Sequence, residues 1–233
     1  MVEKGNNRSR GSYRTAGVPV STLLTFFGHL LFIAITTLLL VWLLQFRDGL
    51  SFTSTNKLKL FNLHPFFMII GFVLISGEAI MAFTTIIPAT RRTRKYFHMF
   101  LHFIGLGSSI VGLFAIFKFQ HVTGKSNLLT LHSWIGISTV SLYALLYIVS
   151  FLVFFFPGAQ NWRRARLAPW HVLYGIAVFF MGIVSAETGL IQKFIALGLQ
   201  KGQEALILNF TGLLLLLFGI SIGLVVLLPV SYY

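Results

Sequence analysis

Six long apolar runs dominate this chain, and they restrict it to one kind of architecture. A helix needs roughly 20 predominantly apolar residues to cross a bilayer. Runs of that length, bounded by charge or by Pro and Gly clusters, fall at about residues 18–44, 62–87, 96–117, 128–156, 168–191 and 205–230. In hydrocarbon only helices and closed barrels satisfy their own backbone groups, and runs this long are helical. The predicted fold is therefore an all-α integral membrane protein with six transmembrane helices. The connections are too short to fold separately, so residues 1–233 form one membrane domain. The first run exceeds the apolar core of a signal peptide and has no small-residue cleavage site before Phe46-Arg47, which makes it an uncleaved first helix.

Charge sets the expected orientation. The chain carries 18 Lys plus Arg against 5 Asp plus Glu, a formal net charge of +13. In a soluble protein that excess would suggest nucleic acid as a partner. Here the cations lie between apolar runs, so the bilayer is the partner and no nucleic acid is expected. Eleven cations fall on one side: Lys4, Arg8, Arg10 and Arg14 in the basic tail of residues 1–17, Arg91, Arg92, Arg94 and Lys95 after span two, and Arg163, Arg164 and Arg166 after span four. The other side has seven, namely Arg47, Lys57, Lys59, Lys118, Lys125, Lys193 and Lys201. Because short basic loops stay in the cytosol, both termini are expected there.

The absence of cysteine excludes a disulfide scaffold, thiolate-held iron–sulfur clusters and Cys-type zinc sites. A redox centre would have to use histidine. Of seven histidines, His64, His98, His132 and His171 recur at intervals of 34, 34 and 39 residues, one near the start of each of spans two to five. Consecutive spans run in opposite directions, so His64 and His132 share one depth on the non-cytosolic side, and His98 and His171 share the other. Each pair can face across a four-helix bundle.

Ionisable groups inside a membrane are costly and mark functional sites. Two facing imidazoles can hold haem iron axially or a metal ion. Zinc needs further ligands, and the intramembrane acids Glu78 and Glu187 lie too far along their helices from the paired histidines. Haem needs only the two. Gly71, Gly77, Gly105, Gly112, Gly136, Gly175 and Gly182 read as places where a macrocycle can approach the backbone, and spans two to five set the haem-binding core at about residues 60–192. Iron with both axial positions taken favours electron transfer. Two rival readings remain, a His-lined metal or proton carrier and a haem subunit that docks a separate dehydrogenase.

The motifs themselves resemble a known family. Phe-Asn-Leu-His-Pro at 61–65, Gly-Glu-Ala at 77–79, Lys-Tyr-Phe-His at 95–98, Leu-His-Ser-Trp at 131–134 and Pro-Trp-His at 169–171 look like cytochrome b561, plant members most of all. The likeness runs from Phe46-Arg47-Asp48-Gly49-Leu50 to Asn209-Phe210-Thr211-Gly212. It implies a homodimer in which each chain carries two haem b groups with bis-histidine ligation, His64 with His132 and His98 with His171. It also implies an oxidoreductase, of the ferric reductase or monodehydroascorbate reductase type, that passes electrons from cytosolic ascorbate to monodehydroascorbate or a ferric chelate across the membrane. By the same analogy the membrane is vacuolar or another endomembrane, with the plasma membrane as the alternative.

Ascorbate is a monoanion and needs cations near the donor-side centre. Arg91 and Lys95 stand seven and three residues before His98, and Arg164 seven before His171, within two helical turns of the ligands. These positions match the family's cations for cytosolic ascorbate. Arg92, Arg94, Arg163 and Arg166 read as membrane anchors. The chain departs from the family at residues 82–85, where Ala-Phe-Thr-Thr replaces the usual Tyr followed by Arg or Lys. On the far side His121 and Asn127 are the candidates for meeting the acceptor, with Gln120 at the place of the family's loop histidine. His102, one turn beyond His98, is a supporting group or a competing ligand. His29 is expected to bond a neighbouring helix, and Phe154-Phe155-Phe156 to meet lipid.

Overall fold

The computed structural model describes residues 20–83 and 89–228. Within them six helices are each long and apolar enough to cross a membrane: α1 (Val20–Phe46), α2 (Lys57–Met81), α3 (Arg91–Val122), α4 (Leu131–Phe154), α5 (Asn161–Ala196) and α6 (Gln203–Leu227). The basic tail and Thr84 and Thr85 of the departing 82–85 motif lie outside the described residues.

Several helices outrun their apolar stretches. α3 and α5 have 32 and 36 residues, which at 1.5 Å per residue makes them about 48 and 54 Å long, well beyond a hydrocarbon core of about 30 Å. Their first turns therefore hold Arg91 to Lys95 and Arg163 to Arg166 on ordered backbone, where the hydropathy pattern implies loops. Side-chain caps fix three starts. Thr90 Oγ1 accepts from the Thr93 N–H, Thr130 Oγ1 from Ser133, and Asn56 Oδ1 from Leu58.

Each of α2 to α5 packs on two others of the four, so they close a ring, with α1 and α6 paired along one flank. The buried face of α1 repeats every three to four residues through Ser21, Thr25, Gly28, Leu31, Ile35, Leu39 and Trp42. It meets a matching stripe of α6 that includes Leu215, Phe218 and Ile222. Close approach within the bundle depends on glycine. A Cβ on Gly77 would lie 2.4 Å from the Phe218 ring, and one on Gly71 would lie 2.5 Å from Ser108 Cβ. These two glycines bring helices together; they do not open room for a macrocycle.

α2 is irregular where it matters. Pro65 has no N–H to donate within the helix, and the next nine residues, Phe66–Leu74, wind as a π-helix before α-geometry resumes. His64 sits immediately before this change. Just ahead of it, buried Asn62 donates through Nδ2 to the carbonyls of Arg47 (2.7 Å) and Gly49 (2.8 Å). Gly49 takes φ +91°, which a side chain would strain. One amide thus ties the turn after α1 to the helix that carries His64, and it links the Arg-Asp-Gly and Phe-Asn-Leu-His motifs.

Candidate functional site

The four recurring histidines form two pairs. His64 of α2 and His132 of α4 have ring centres 6.1 Å apart, and His98 of α3 and His171 of α5 have the same 6.1 Å separation. Two imidazoles on opposite sides of one metal ion, each bonded at about 2 Å, have ring centres about 6 Å apart.

The backbone aims each ring. The Nδ1–H of His64 donates to Gly112 O (3.0 Å), that of His98 to Ala79 O (2.7 Å) and that of His132 to Ser185 O (2.9 Å). His171 Nδ1 shares a hydrogen bond of 2.9 Å with Ser150 Oγ. A proton fixed on Nδ1 leaves the Nε2 lone pair as the metal-binding atom, and the partner locks the ring's orientation. The three carbonyls have no signature in the sequence, because side-chain type and spacing carry no mark of which backbone oxygen meets a ring. Space is provided as well. Gly189 lies against His132, where a Cβ would be 2.8 Å from Cε1, and a Cβ on Gly175, one turn from His171, would meet nothing within 4 Å.

The other histidines have different partners. His102, one turn from His98, has its ring centre 4.4 Å from that of His98 and shares a 2.7 Å hydrogen bond with Tyr143 Oη, which also touches Ser76 Oγ at 3.0 Å. Tyr143 follows His132 by eleven residues, three helical turns on the same face, a spacing that could have revealed it. His29 meets Glu78, with Nδ1 2.9 Å from Oε2, as expected of a contact between neighbouring helices. Among the described residues no three His, Asp or Glu side chains gather as a metal-binding cluster.

At the His98–His171 end the three singled-out cations come together. Lys95 lies within electrostatic reach of both Arg91 and Arg164. Its Nζ donates to Phe154 O, and Arg164 donates to Asn161 Oδ1. The remaining basic residues divide by partner. Arg94 donates to Ala89 O and Phe83 O, Arg92 lies over Tyr96, and Arg163 lies over Trp162. Arg166 is exposed. The Phe run is not all lipid contact: Phe154 packs against His171 with centroids 5.2 Å apart, while Phe156 is exposed. Phe83, from the departing motif, stacks edge-on to His98 at 4.8 Å. At the opposite end His121 and Asn127 are both exposed, His121 in the last turn of α3 and not in the loop, Asn127 in the loop that follows.

Fold and site define a class: helical multi-pass membrane proteins in which facing histidine pairs lie at two depths of a four-helix ring. Residues 63–197 match the eukaryotic cytochrome b561 family. The chain is 43% identical to "Ascorbate-specific transmembrane electron transporter 1" of Zea mays over 210 residues, covering 88% of this chain and 89% of that protein. It is 40% identical to "Transmembrane ascorbate ferrireductase 1" of Arabidopsis thaliana over 199 residues (84% and 83%). It is also 34% identical to "Transmembrane ascorbate-dependent reductase CYB561" of Bos taurus over 197 residues (83% and 77%). The chain belongs to the cytochrome b561 family, whose name implies haem b. The residues present fit such a group, since each pair offers two uncommitted Nε2 atoms at a suitable separation and glycines spare the space beside them.

Proposed function

We propose that this protein is a transmembrane ascorbate-dependent oxidoreductase, taking single electrons from ascorbate at the His98–His171 end and delivering them at the His64–His132 end. The equal 6.1 Å spacing of the two pairs at different depths carries this reading, and the printed names of its relatives support ascorbate as the donor. His64 with His132 and His98 with His171 would hold two haem b groups. Haem would supply there a one-electron Fe(III)/Fe(II) couple, suited to electron transfer.

The chain's own residues do the rest. Arg91, Lys95 and Arg164 attract the ascorbate monoanion and bind its enediol oxygens. The Nδ1–H bonds to Gly112, Ala79 and Ser185 hold the imidazoles in one tautomer, so that little rearranges as charge arrives and leaves. The apolar bundle excludes water, so the proton released on ascorbate oxidation leaves on the donor side. With both termini in the cytosol, that side is cytosolic. The acceptor, monodehydroascorbate or a ferric chelate, is met near His121 and Asn127. The working unit is a homodimer of one-domain chains, in a vacuolar or other endomembrane.

Purified protein reconstituted in vesicles with ascorbate trapped inside tests this. The expected result is a b-type spectrum of two haems per chain that is reduced by ascorbate and reoxidised by external ferric chelate. Colourless protein that carries metal ions or protons without redox change would refute it. Reduction only after adding a dehydrogenase would assign the electrons to a docked partner.

A further inference from the structure

Beyond His64 and His132, toward the membrane surface, the structure holds a feature that the proposed chemistry has not used. Phe61 lies one turn outward of His64 on α2, and Lys193 lies one turn outward of Gly189, the residue against the His132 ring, on α5. Lys193 Nζ sits 4.0 Å from the centre of the Phe61 ring, bridging the two helices across the mouth of the pair. Phe61 in turn packs edge-to-face on Phe119 of α3, with centroids 5.3 Å apart, and Lys125 Nζ lies 5.5 Å from the Phe119 ring. Two ammonium groups therefore flank one pair of stacked rings.

Neither ammonium has a hydrogen-bond acceptor among the described residues, and Lys193 is half-buried. The nearby carboxylate is already engaged, since Glu204 accepts from Arg47 Nε (2.6 Å) and Trp42 Nε1 (2.8 Å). Lys193 feels Arg47, Lys125 and Glu204 together, three positive side chains including its own against one negative. A ring face attracts a cation but leaves its N–H donors free for a stronger acceptor. The rings hold the two ammonium groups in place and offer no competing oxygen.

We infer that Lys193 and Lys125, seated on Phe61 and Phe119, form a recognition ledge for the carboxylates of an anionic electron acceptor, a ferric polycarboxylate chelate. The inference rests on the proposed electron exit at the His64–His132 end and names what selects the acceptor there. The chelate docks through its carboxylates and gains one electron, its iron passing from ferric to ferrous. That electron is the one ascorbate gives up on the other side. Selection is by charge: a cationic one-electron acceptor gains nothing from the ledge.

The test uses the reconstituted haem-loaded protein in neutral-lipid vesicles, with ferric citrate and hexaammineruthenium(III) as acceptors of opposite charge. Lys193→Gln is expected to raise KM for ferric citrate about tenfold with kcat nearly unchanged, as for the loss of one charge-assisted contact. Lys193→Glu should raise it further and lower KM for the ruthenium cation. Lys193→Arg should restore ferric citrate, and Lys125→Gln should show a smaller effect in the same direction. Calorimetric binding of gallium(III) citrate, which accepts no electron, should weaken in parallel. Three results would each overturn the ledge: an unchanged KM and gallium affinity, a shifted haem potential without a KM change (Lys193 serving a cofactor carboxylate), or an effect seen only with anionic lipid. In all three, wild-type haem that still reduces with ascorbate leaves the function itself standing.

Discussion

His102 and Tyr143 are joined by a hydrogen bond of 2.7 Å between Nδ1 and Oη, and this contact separates the two histidines of α3 by role. His98 and His102 share a helix face one turn apart, so spacing alone makes them rivals for the facing position. Tyr143 also lies 3.2 Å from His102 O and 3.0 Å from Ser76 Oγ, and is itself buried. His102 thus belongs to a small polar chain inside the bundle, and His98 is left to meet His171.

That division predicts unequal outcomes from two neighbouring substitutions. If each pair holds one haem, as proposed, His98→Ala removes one of the paired imidazoles and should cost the protein one of the two. His102→Leu, which leaves Tyr143 bonded to Ser76, should retain both. Haem-to-protein stoichiometry in purified samples distinguishes them, and equal loss in both variants would mean that His102 takes part in ligation.

The large-scale plan was readable because the bilayer leaves so little choice. Six runs of sufficient length became six helices, and antiparallel order alone put His64 level with His132 and His98 level with His171. Hydropathy reported only the part of each helix in hydrocarbon, so α5 begins at Asn161, seven residues before its apolar run. Close contacts were not readable. No pattern marks Ala79 or Gly112 as the carbonyl that orients a ring, and Gly71 and Gly77 give no sign in sequence that Ser108 and Phe218 need their missing side chains. Lys193 counted only as one of seven cations until the fold set it on Phe61.

Gly189 offers a test of the proposed ligation that leaves all four paired histidines in place. A methyl group there would lie 2.8 Å from His132 Cε1 and 3.1 Å from Nδ1, too close to coexist with the present ring. The imidazole would have to swing away from Ser185 O and out of line with His64. Under the proposed ligation, Gly189→Ala should therefore lose haem selectively from the His64–His132 site and keep the other. Separate redox titration of the two haems reads this directly; two unchanged midpoint potentials would show that the ring has another way to yield.

The cations at the other end should separate into two kinds. Lys95→Ala removes a charge within electrostatic reach of both Arg91 and Arg164, and the expected effect is a rise in KM for ascorbate of about tenfold, weakening as salt is added. Arg94 instead bonds two backbone carbonyls, that of Phe83 just after α2 and that of Ala89 just before α3. Arg94→Ala should lower thermal stability by about 1–2 kcal/mol with little change in KM. Steady-state kinetics at two ionic strengths, beside thermal unfolding of both variants, would expose any exchange of these roles.

Glu204 ties α6 to the end of α1, receiving Trp42 Nε1 and Arg47, with the Arg47 and Glu204 side chains only 19% and 16% exposed. In a pair partly withdrawn from water, losing a single partner costs more than losing both. Glu204→Gln leaves the Arg47 guanidinium without a counter-charge and should destabilise the protein by about 3 kcal/mol in detergent. The double replacement Arg47→Met with Glu204→Leu should recover much of that loss, because the stranded charge goes with its partner. Thermal unfolding of the two variants supplies the comparison, and equal destabilisation would show that the pair is solvated. Removing the carboxylate that acts on Lys193 also leaves that lysine in a more positive setting, so Glu204→Gln should bind an anionic acceptor more tightly even as it unfolds at a lower temperature.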